Sequence, residues 1–363
     1  MKKIILLVFV ILFLVTLISA LSSKSGGPSI LFAQHKGVNF SNIEINPDDL
    51  KQFQPLPEVV PSASNPLTDE KIALGRMLFF EKRLSKGKDI SCNSCHQLDR
   101  YGVDNEARSK GFKGQLGGRN SPTVYNAAAH VAQFWDGRAA DVEAQAKGPV
   151  LNPVEMAMPD DKAVVAVLKS IPGYVVAFKK AFPADKDPVN YDNMGKAIGA
   201  FERKLMTASR WDNFLKGDKA ALTNLEKIGF NKFVESGCQM CHSGPLLGAT
   251  TFMKLGVAKN WPDRSDPGRF QVTRNEADRM KFKVPSLRNV EKTGPYYHDG
   301  SVATLDKAVS LMAEYQLGKA LSSDDVKFIS VWLKTLTGTI PVDYVKPPEL
   351  PKEETRNAPG GAL

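Results

Sequence analysis

The chain of 363 residues is 42% hydrophobic and 24% charged, a composition that is ordinary for a globular protein and excludes general disorder. Its length allows two domains with a substantial core. The formal net charge of +9 comes from basic residues scattered among acidic ones, without the Lys/Arg run that would indicate nucleic-acid binding. We therefore attribute the charge to a solvated surface.

Residues 1–20 are predicted to form a secretory signal peptide or an uncleaved N-terminal anchor. A lysine pair is followed by an apolar run and by a possible cleavage point after Ala20. Ile18 is larger than the small residue usual near a cleavage site, and with Leu21 the run approaches the length of a membrane span. Both patterns direct the chain out of the cytoplasm, so we expect a periplasmic protein.

Residues 21–65 are polar and predict an extended arm without a core of its own. Several prolines interrupt this segment: Pro47, Pro55, Pro57 and Pro61. At the other end, residues 346–363 are rich in proline, glycine and charge, and predict a flexible tail.

Two similar helices are predicted between these ends. "TDEKIALGRMLFF" and "TNLEKIGFNKFVESG" each begin with a threonine suited to a helix cap. Each also contains a Gly-x-x-x-Phe step, from Gly75 to Phe79 and from Gly229 to Phe233. Other stretches, such as "DDVKFISVWLKTL", show helical apolar spacing, and no stretch predicts a convincing sheet.

Each of these helices leads into a Cys-x-x-Cys-His motif, and the two motifs use all four cysteines. The motif residues are Cys92, Cys95 and His96, then Cys238, Cys241 and His242. Such a motif attaches a haem through two thioethers while its histidine binds the iron. A shared zinc site or redox dithiols are the alternatives, but a histidine directly after each second cysteine favours c-type haem.

The pattern therefore predicts an all-α protein of two cytochrome c-like haem domains with long connecting loops. The first would span residues 66–208 and the second residues 209–345. An amphipathic helix that leads into Cys-x-x-Cys-His is how a small cytochrome c domain begins, and this chain has two.

The second axial position of each iron decides between electron transfer, which uses His or Met, and chemistry, which needs an open face. Three histidines remain as candidates. His35 lies in the arm and is expected to be solvated, whereas His130 and His298 are either ligands or ordinary core or loop residues. Met312 shares a helical face with Leu305 and Val309, which on spacing alone is typical of a core position.

From roughly Pro66 to Leu336 the chain resembles the bacterial dihaem cytochrome c peroxidases, a family that also contains the maturation enzyme MauG. The resemblance lies in the stretches "SCNSCH", "RNSPTVYN", "AQFWDGRA", "GPVLNPVEM", "CQMCHSGP", "FKVPSLRNVEKTGPYYHDG" and "AVSLMAEYQLG". It implies two covalent haems and reduction of hydrogen peroxide by a small redox protein, such as a cytochrome c or a cupredoxin. A quinol donor is not excluded, and a homodimer is expected.

The resemblance also implies roles for individual residues. Met312 matches the sixth ligand of the second, electron-transferring haem, where MauG-like members carry tyrosine. Glu155 matches the acid–base residue of the peroxidatic site, where Gln145 hydrogen-bonds peroxide and Pro149 shapes the distal pocket.

Between the haems, Trp135 matches an electron relay. Asn120 and the carbonyls of Thr293 and Pro295 match a calcium site with oxygen ligands, which suit Ca²⁺.

The sequence departs from the family at Phe112. Family members commonly carry there a histidine that blocks the resting peroxidatic iron. Phenylalanine cannot ligate iron, so we expect this iron to be open before any reduction. His130 is the alternative ligand, and it would require a rearrangement of the chain.

Two other functions compete with a peroxidase. One is a dihaem electron carrier without catalysis, against which Glu155 and Gln145 argue. The other is a MauG-like enzyme that oxidises a protein, against which Met312 argues.

Overall fold

The structure is a computed structural model, and it describes residues 41–353. Within this range the protein is helix-rich, with thirteen α-helices, several single 3₁₀ turns and one two-stranded sheet. None of the helices described is long and apolar enough to cross a membrane. The predicted signal peptide and His35 lie outside the described residues, as does the end of the predicted tail.

The elements are numbered in chain order. The helices are α1 (Pro47–Leu50), α2 (Asp69–Phe80), α3 (Cys92–Cys95), α4 (Val142–Leu151), α5 (Asp161–Lys169), α6 (Pro172–Ala181), α7 (Tyr191–Glu202), α8 (Arg210–Leu215), α9 (Asn224–Ser236), α10 (Phe270–Thr273), α11 (Leu305–Leu317), α12 (Ser323–Leu333) and α13 (Val342–Val345). The strands are β1 (Phe252–Lys254) and β2 (Lys281–Lys283), which pair antiparallel with Phe252 opposite Lys283.

The first core forms around α2 and α7. The predicted cap is present, because the Thr68 hydroxyl accepts a hydrogen bond from the Lys71 backbone N–H at the start of α2. The helices touch at Gly75, where an added Cβ would lie 1.8 Å from the Ala197 carbonyl oxygen. The buried side chains of this core include Leu74, Leu78, Phe79, Phe178, Ile198 and Phe201.

The second core repeats this construction with α9 and α12. Thr223 and Glu226 form a capping box at the start of α9. A Cβ at Gly229 would lie 2.1 Å from the Phe328 carbonyl oxygen, so α12 contacts α9 as closely as α7 contacts α2. The core is aromatic and includes Trp211, Phe230, Phe233 and Trp332. The glycine in each predicted Gly-x-x-x-Phe step thus permits one helix crossing.

Both ends of the described chain contact these cores. Ile45 and Phe53, within the predicted arm, are buried in the second core. At the other end, Val345 is buried in the first core, and the Arg83 guanidinium donates to the Pro351 carbonyl at 2.8 Å. The described part of the predicted arm, residues 41–65, therefore contributes to the second core.

The segments that follow the two Cys-x-x-Cys-His motifs form a second internal repeat. Residues of the two halves recur at the same sequence separation: Pro122 and Pro285, Asn126 and Asn289, Phe134 and Tyr297, Trp135 and His298, Gly137 and Gly300, Pro149 and Met312. The backbone follows the repeat, because Phe134 and Tyr297 both have positive φ, and isolated bridges pair Gln133 with Ala139 and Tyr296 with Val302. Each half thus contains the same tight hairpin, followed by a helix, α4 or α11.

The two halves exchange equivalent hydrogen bonds. Asn120 N–H donates to the His298 carbonyl at 2.8 Å, and Lys283 N–H donates to the Trp135 carbonyl at 2.7 Å. Nearby, the amides of Asn126 and Asn289 both donate to the buried Thr207 hydroxyl, at 3.0 and 2.8 Å. These contacts join the segments that follow the two Cys-x-x-Cys-His motifs.

Substitution of Gly75 by alanine is expected to destabilise the protein by about 1–3 kcal/mol, because the added Cβ overlaps the Ala197 carbonyl. Urea unfolding followed by circular dichroism measures this difference in free energy of unfolding. Gly118→Ala is the control, since Gly118 is exposed, lacks a positive φ, and its added Cβ would meet no atom within 4 Å. There, alanine is expected to be neutral or stabilising by up to about 1 kcal/mol. Equal effects of the two substitutions would contradict the close helix crossing.

Candidate functional site

The first Cys-x-x-Cys-His motif forms the short helix α3, which begins after a Ser91 capping box and ends at His96. The His96 Nδ1 atom lies 3.4 Å from the Gly102 carbonyl oxygen. Burial lowers the pKa of His96, so its imidazole is neutral near pH 7. A carbonyl acceptor places the proton on Nδ1 and leaves Nε2 as a lone-pair donor for a metal.

The second motif follows α9, which ends at Gly237 with φ of 91°, a conformation suited to glycine. Here His242 Nδ1 lies 3.1 Å from the Leu247 carbonyl oxygen, and burial again lowers the pKa of the imidazole. Both motif histidines are thus held in the same tautomer by the backbone. This tautomer suits a metal ligand, either to haem iron or to zinc, and gives no reason for a histidine beside a redox dithiol.

A large apolar cavity opens beside the second motif. Cys238, Cys241 and His242 form part of its wall, and Met312 of α11 forms another part. Leu305 and Val309, which share the helical face of Met312, line the same cavity. The apolar stripe on α11 therefore lines the cavity, and its residues Leu305 and Val309 also pack against the second core, as the spacing predicts. An imidazole, a thioether and two thiols around one apolar space fit a haem.

The residues implied for peroxide chemistry lie on α4 and in the loop that follows it. Gln145 and Pro149 are one helical turn apart, and the Pro149 carbonyl accepts the Met156 N–H at 3.2 Å, which holds the next loop against the helix. Burial raises the pKa of Glu155, although Arg138 and the hydrogen bond from Asn152 Nδ2 at 2.7 Å oppose the shift.

The Glu155 charge also helps to raise the pKa of the Cys92 and Cys95 thiols, so the carboxyl lies in the surroundings of the first motif. Burial is the larger cause for both thiols. Glu155 is far from Cys92 in the sequence but close to the first motif in the structure. This is the region in which the resemblance implies an acid–base residue.

The internal repeat explains why the two sites differ. Pro149 occupies in α4 the position that Met312 occupies in α11, and Gln145 corresponds to Ala308. Proline has no side-chain atom that can bind iron, whereas the methionine thioether can. The first half therefore lacks the thioether that the second half has at the equivalent position.

Phe112 lies next to the catalytic candidate. Its backbone N–H donates to the carbonyls of Val154 and Glu155, at 3.0 and 2.8 Å. The preceding residue, Gly111, allows this approach, because a Cβ there would lie 2.0 Å from the Val154 carbonyl oxygen. The position at which the resemblance implies a histidine thus lies beside Glu155 but carries a side chain that cannot ligate iron.

Trp135 and the implied calcium ligands share the cavity wall with His242. The Trp135 indole N–H donates to the Asn120 carbonyl at 2.9 Å, and both residues line the cavity together with Thr293 and Pro295. Asn105 donates to the neighbouring carbonyls of Lys292 and Gly294, which orients this loop. Within residues 41–353 no group of three His, Cys, Asp or Glu side chains could hold a metal ion.

His130 and His298 line the cavity of the second motif. His298 stacks on Phe282 with ring centroids 4.2 Å apart, and His130 Nδ1 lies 3.0 Å from the Lys283 ammonium. Burial of Lys283 lowers the pKa of its ammonium to about 7. Sequence reasoning missed Lys283, and the repeat that aligns it with Asn120 is the signal that could have found it.

A family model described as di-haem cytochrome c peroxidase matches residues 69–220. The cytochrome c551 peroxidase of Nitrosomonas europaea is 47% identical over 291 residues, which cover 80% of this chain and 85% of that relative. The cytochrome c551 peroxidase of Pseudomonas aeruginosa is 46% identical over 300 residues, which cover 80% of this chain and 86% of that relative.

The fold has a similar solved structure. A MauG-like protein associated with microbial copper homeostasis matches with a TM-score of 0.71 and 28% sequence identity. The match covers 84% of this chain and 99% of that one. The helix-rich architecture is therefore shared along nearly the whole of that structure.

If each motif holds a covalent haem, both haems should remain with the protein through acid–acetone extraction. The double variant Cys238→Ser/Cys241→Ser is expected to retain one haem per chain, because serine cannot form the thioether. Pyridine haemochrome absorbance of the extracted protein measures the number. Cys92→Ser/Cys95→Ser is the matched variant and should also retain one. Zinc without haem in the wild-type protein would contradict the assignment.

Proposed function

Because this chain belongs to the dihaem cytochrome c peroxidase family, we propose that its two Cys-x-x-Cys-His motifs each attach a haem and that it reduces hydrogen peroxide at the first one. It is an oxidoreductase of the cytochrome c peroxidase type. One observation supports different roles for the two haems: Pro149 stands in the first half at the position where Met312 stands in the second.

At the first site, His96 would bind the iron through Nε2 and leave the opposite face free. Bound haem supplies an iron that accepts peroxide and the redox chemistry that cleaves its O–O bond. Glu155 takes the proton from the peroxide oxygen nearer the iron and returns it to the departing oxygen, so that water leaves. Gln145 orients the peroxide by a hydrogen bond, and Pro149 keeps the distal space narrow.

The environment of Glu155 suits this proton transfer. Burial raises the pKa of this carboxyl. It therefore accepts a proton more readily than a carboxylate whose charge is strongly stabilised, and it can still release that proton. Asn152 limits the shift by donating to the carboxylate, so the ionised form remains available to accept the first proton. The residue can thus act as base and then as acid.

At the second site, His242 and Met312 would bind the iron on both faces. A His/Met pair raises the reduction potential and leaves no position for peroxide, which suits storage of one electron. Met240, within the second motif, is 72% exposed. An apolar side chain at the surface beside the covalent attachment supports electron entry there from a small redox protein, either a cytochrome c or a cupredoxin.

Trp135 would carry electrons from the second haem towards the first. It lines the cavity of His242 and Met312, and its indole is fixed by the Asn120 carbonyl. Asn120, Thr293 and Pro295 would hold a calcium ion through oxygen atoms near this relay. The Thr293 and Pro295 carbonyls accept no hydrogen bond from residues 41–353, which leaves their lone pairs for such an ion.

The two cores fit the proposed haem domains, residues 66–208 and 209–345, except that Ile340, Tyr344 and Val345 pack in the first core. The signal pattern of residues 1–20 supports a periplasmic location, where c-type haems are attached. A homodimer remains the expected assembly. The MauG-like alternative is disfavoured by Met312, and a pure electron carrier by the partly buried carboxyl of Glu155.

Glu155→Gln is expected to lower kcat by about 10²–10⁴-fold, because glutamine cannot accept and return the proton. In the wild-type enzyme, the base must be ionised, and its pKa is raised. Activity should therefore fall on acidification at a higher pH than an exposed glutamate would dictate. Stopped-flow oxidation of a reduced cytochrome c by peroxide, across a pH series, measures both effects.

Glu58→Gln is the matched control, since Glu58 is exposed on the arm and should leave kcat unchanged. Haem stoichiometry of both variants confirms that the sites are loaded. Full activity in Glu155→Gln with both haems present would disprove the acid–base role.

Because Phe112 cannot ligate iron, we expect the peroxidatic iron to have an open face in the fully oxidised protein as isolated. An EPR spectrum should show a high-spin ferric signal beside a low-spin signal from the His242/Met312 haem. Turnover should then need no prior reduction. Two low-spin signals in the wild-type spectrum would show that another residue has taken the sixth position.

Phe112→His is the matched variant, because the loop already places this position against Glu155. It should convert the high-spin signal into a second low-spin one and introduce a lag in turnover that prior reduction removes. A high-spin signal that survives this substitution would show that the loop does not bring position 112 to the iron.

A further inference from the structure

A buried lysine and a buried histidine meet at the wall of the cavity that contains His242 and Met312. Lys283 is only 6% exposed. Its ammonium donates to the Ala132 carbonyl at 2.7 Å and lies 3.0 Å from His130 Nδ1. Neither Lys283 nor His130 has a role in the mechanism proposed above.

The contact with Lys283 fixes the proton of His130. An ammonium group can only donate, so Nδ1 is the acceptor, and the proton of the neutral imidazole is on Nε2. Burial, followed by the charge of Lys283, lowers the pKa of His130 well below its ordinary value and keeps the ring neutral.

The Nε2 atom of His130 is buried and has no hydrogen-bond partner among the described residues. A buried donor without an acceptor is costly, and the large majority of such groups in folded proteins are paired. Because His130 lines the cavity, its partner is expected to be part of whatever fills that cavity.

The surroundings define the chemistry of this partner. Because an ammonium group lies close to this N–H donor, an acceptor that carries negative charge is favoured over a neutral one. A cation at the implied calcium position cannot supply it. Haem carries two propionate carboxylates, and the same cavity holds Cys238, Cys241 and His242.

We propose that His130 Nε2 donates a hydrogen bond to a propionate carboxylate of the haem held by His242 and Met312. Lys283 positions the imidazole and balances the carboxylate charge. This inference rests on the second haem of the proposed function. In this proposal His130 is a hydrogen-bond donor to the propionate of the second haem. It is then not the alternative ligand of the first iron.

The reduction potential reports this contact. A buried carboxylate near the iron favours the ferric state, and a donor to the carboxylate weakens that preference. His130→Phe should therefore lower the equilibrium constant for reduction of the His/Met haem about tenfold, a fall of about 59 mV for one electron. His130→Gln, which keeps an N–H donor, should recover part of the difference.

Spectroelectrochemical titration at pH 6, where the propionate is ionised and Lys283, with a pKa of about 7, carries its charge, measures the potential of each variant. The charge-transfer band of the methionine–iron bond, followed in the same titration, reports the integrity of the site. A second pair of variants avoids any packing defect at His130. Lys283→Met should lower the potential, whereas Lys254→Met, at an exposed lysine on the rim of the same cavity, should not.

An unchanged potential in both His130→Phe and Lys283→Met, with the methionine–iron band intact, would overturn the inference. Equal falls in Lys283→Met and Lys254→Met would also overturn it, because they would indicate a general effect of charge. Absence of the methionine–iron band from the wild-type protein would instead refute the proposed second haem itself.

Discussion

Two backbone hydrogen bonds fix the relation between the halves of this protein. Asn120 N–H donates to the His298 carbonyl, and Lys283 N–H donates to the Trp135 carbonyl. In the internal repeat Asn120 corresponds to Lys283 and Trp135 to His298, so one contact is made twice in opposite directions. Because buried backbone groups must be paired, a displacement of one half against the other would break both bonds. Trp135 is thereby held at the wall of the second cavity, which is what a relay requires.

On this duplicated framework, a single helical position separates two kinds of chemistry. Met312 in α11 can bind iron, and Pro149 in α4 cannot. Peroxide is a two-electron oxidant, whereas a small redox protein delivers electrons singly. In the proposed function, one iron has a free face for peroxide and the other has both faces bound. The difference between Pro149 and Met312 would provide both, and Gln145, which stands where the second half has Ala308, would add a polar group only on the open side.

Local sequence signals predicted much of this arrangement. The Gly-x-x-x-Phe steps predicted two equivalent helices, and the structure shows why Gly75 and Gly229 are needed at the crossings with α7 and α12. The Thr68 and Thr223 caps are also in place. The contacts at the site were not predictable in this way. The pairing of His130 with Lys283 joins residues far apart in sequence, and the small sheet that carries Lys283 is too short to show a strand period.

The two proposed sites also differ in the buried ionisable groups beside them. Near the first motif, burial raises the pKa of two carboxyls, Glu155 and Glu202, and brings that of Glu202 to about 8. Both carboxyls therefore bind protons more readily than an exposed glutamate does. At the wall of the second cavity the Lys283 side chain is buried, and a positive charge near an iron favours its reduced state. In the proposed function, proton-binding groups thus lie near the iron at which the O–O bond breaks and positive charge lies near the iron that stores an electron, which is the same division of tasks that Pro149 and Met312 make.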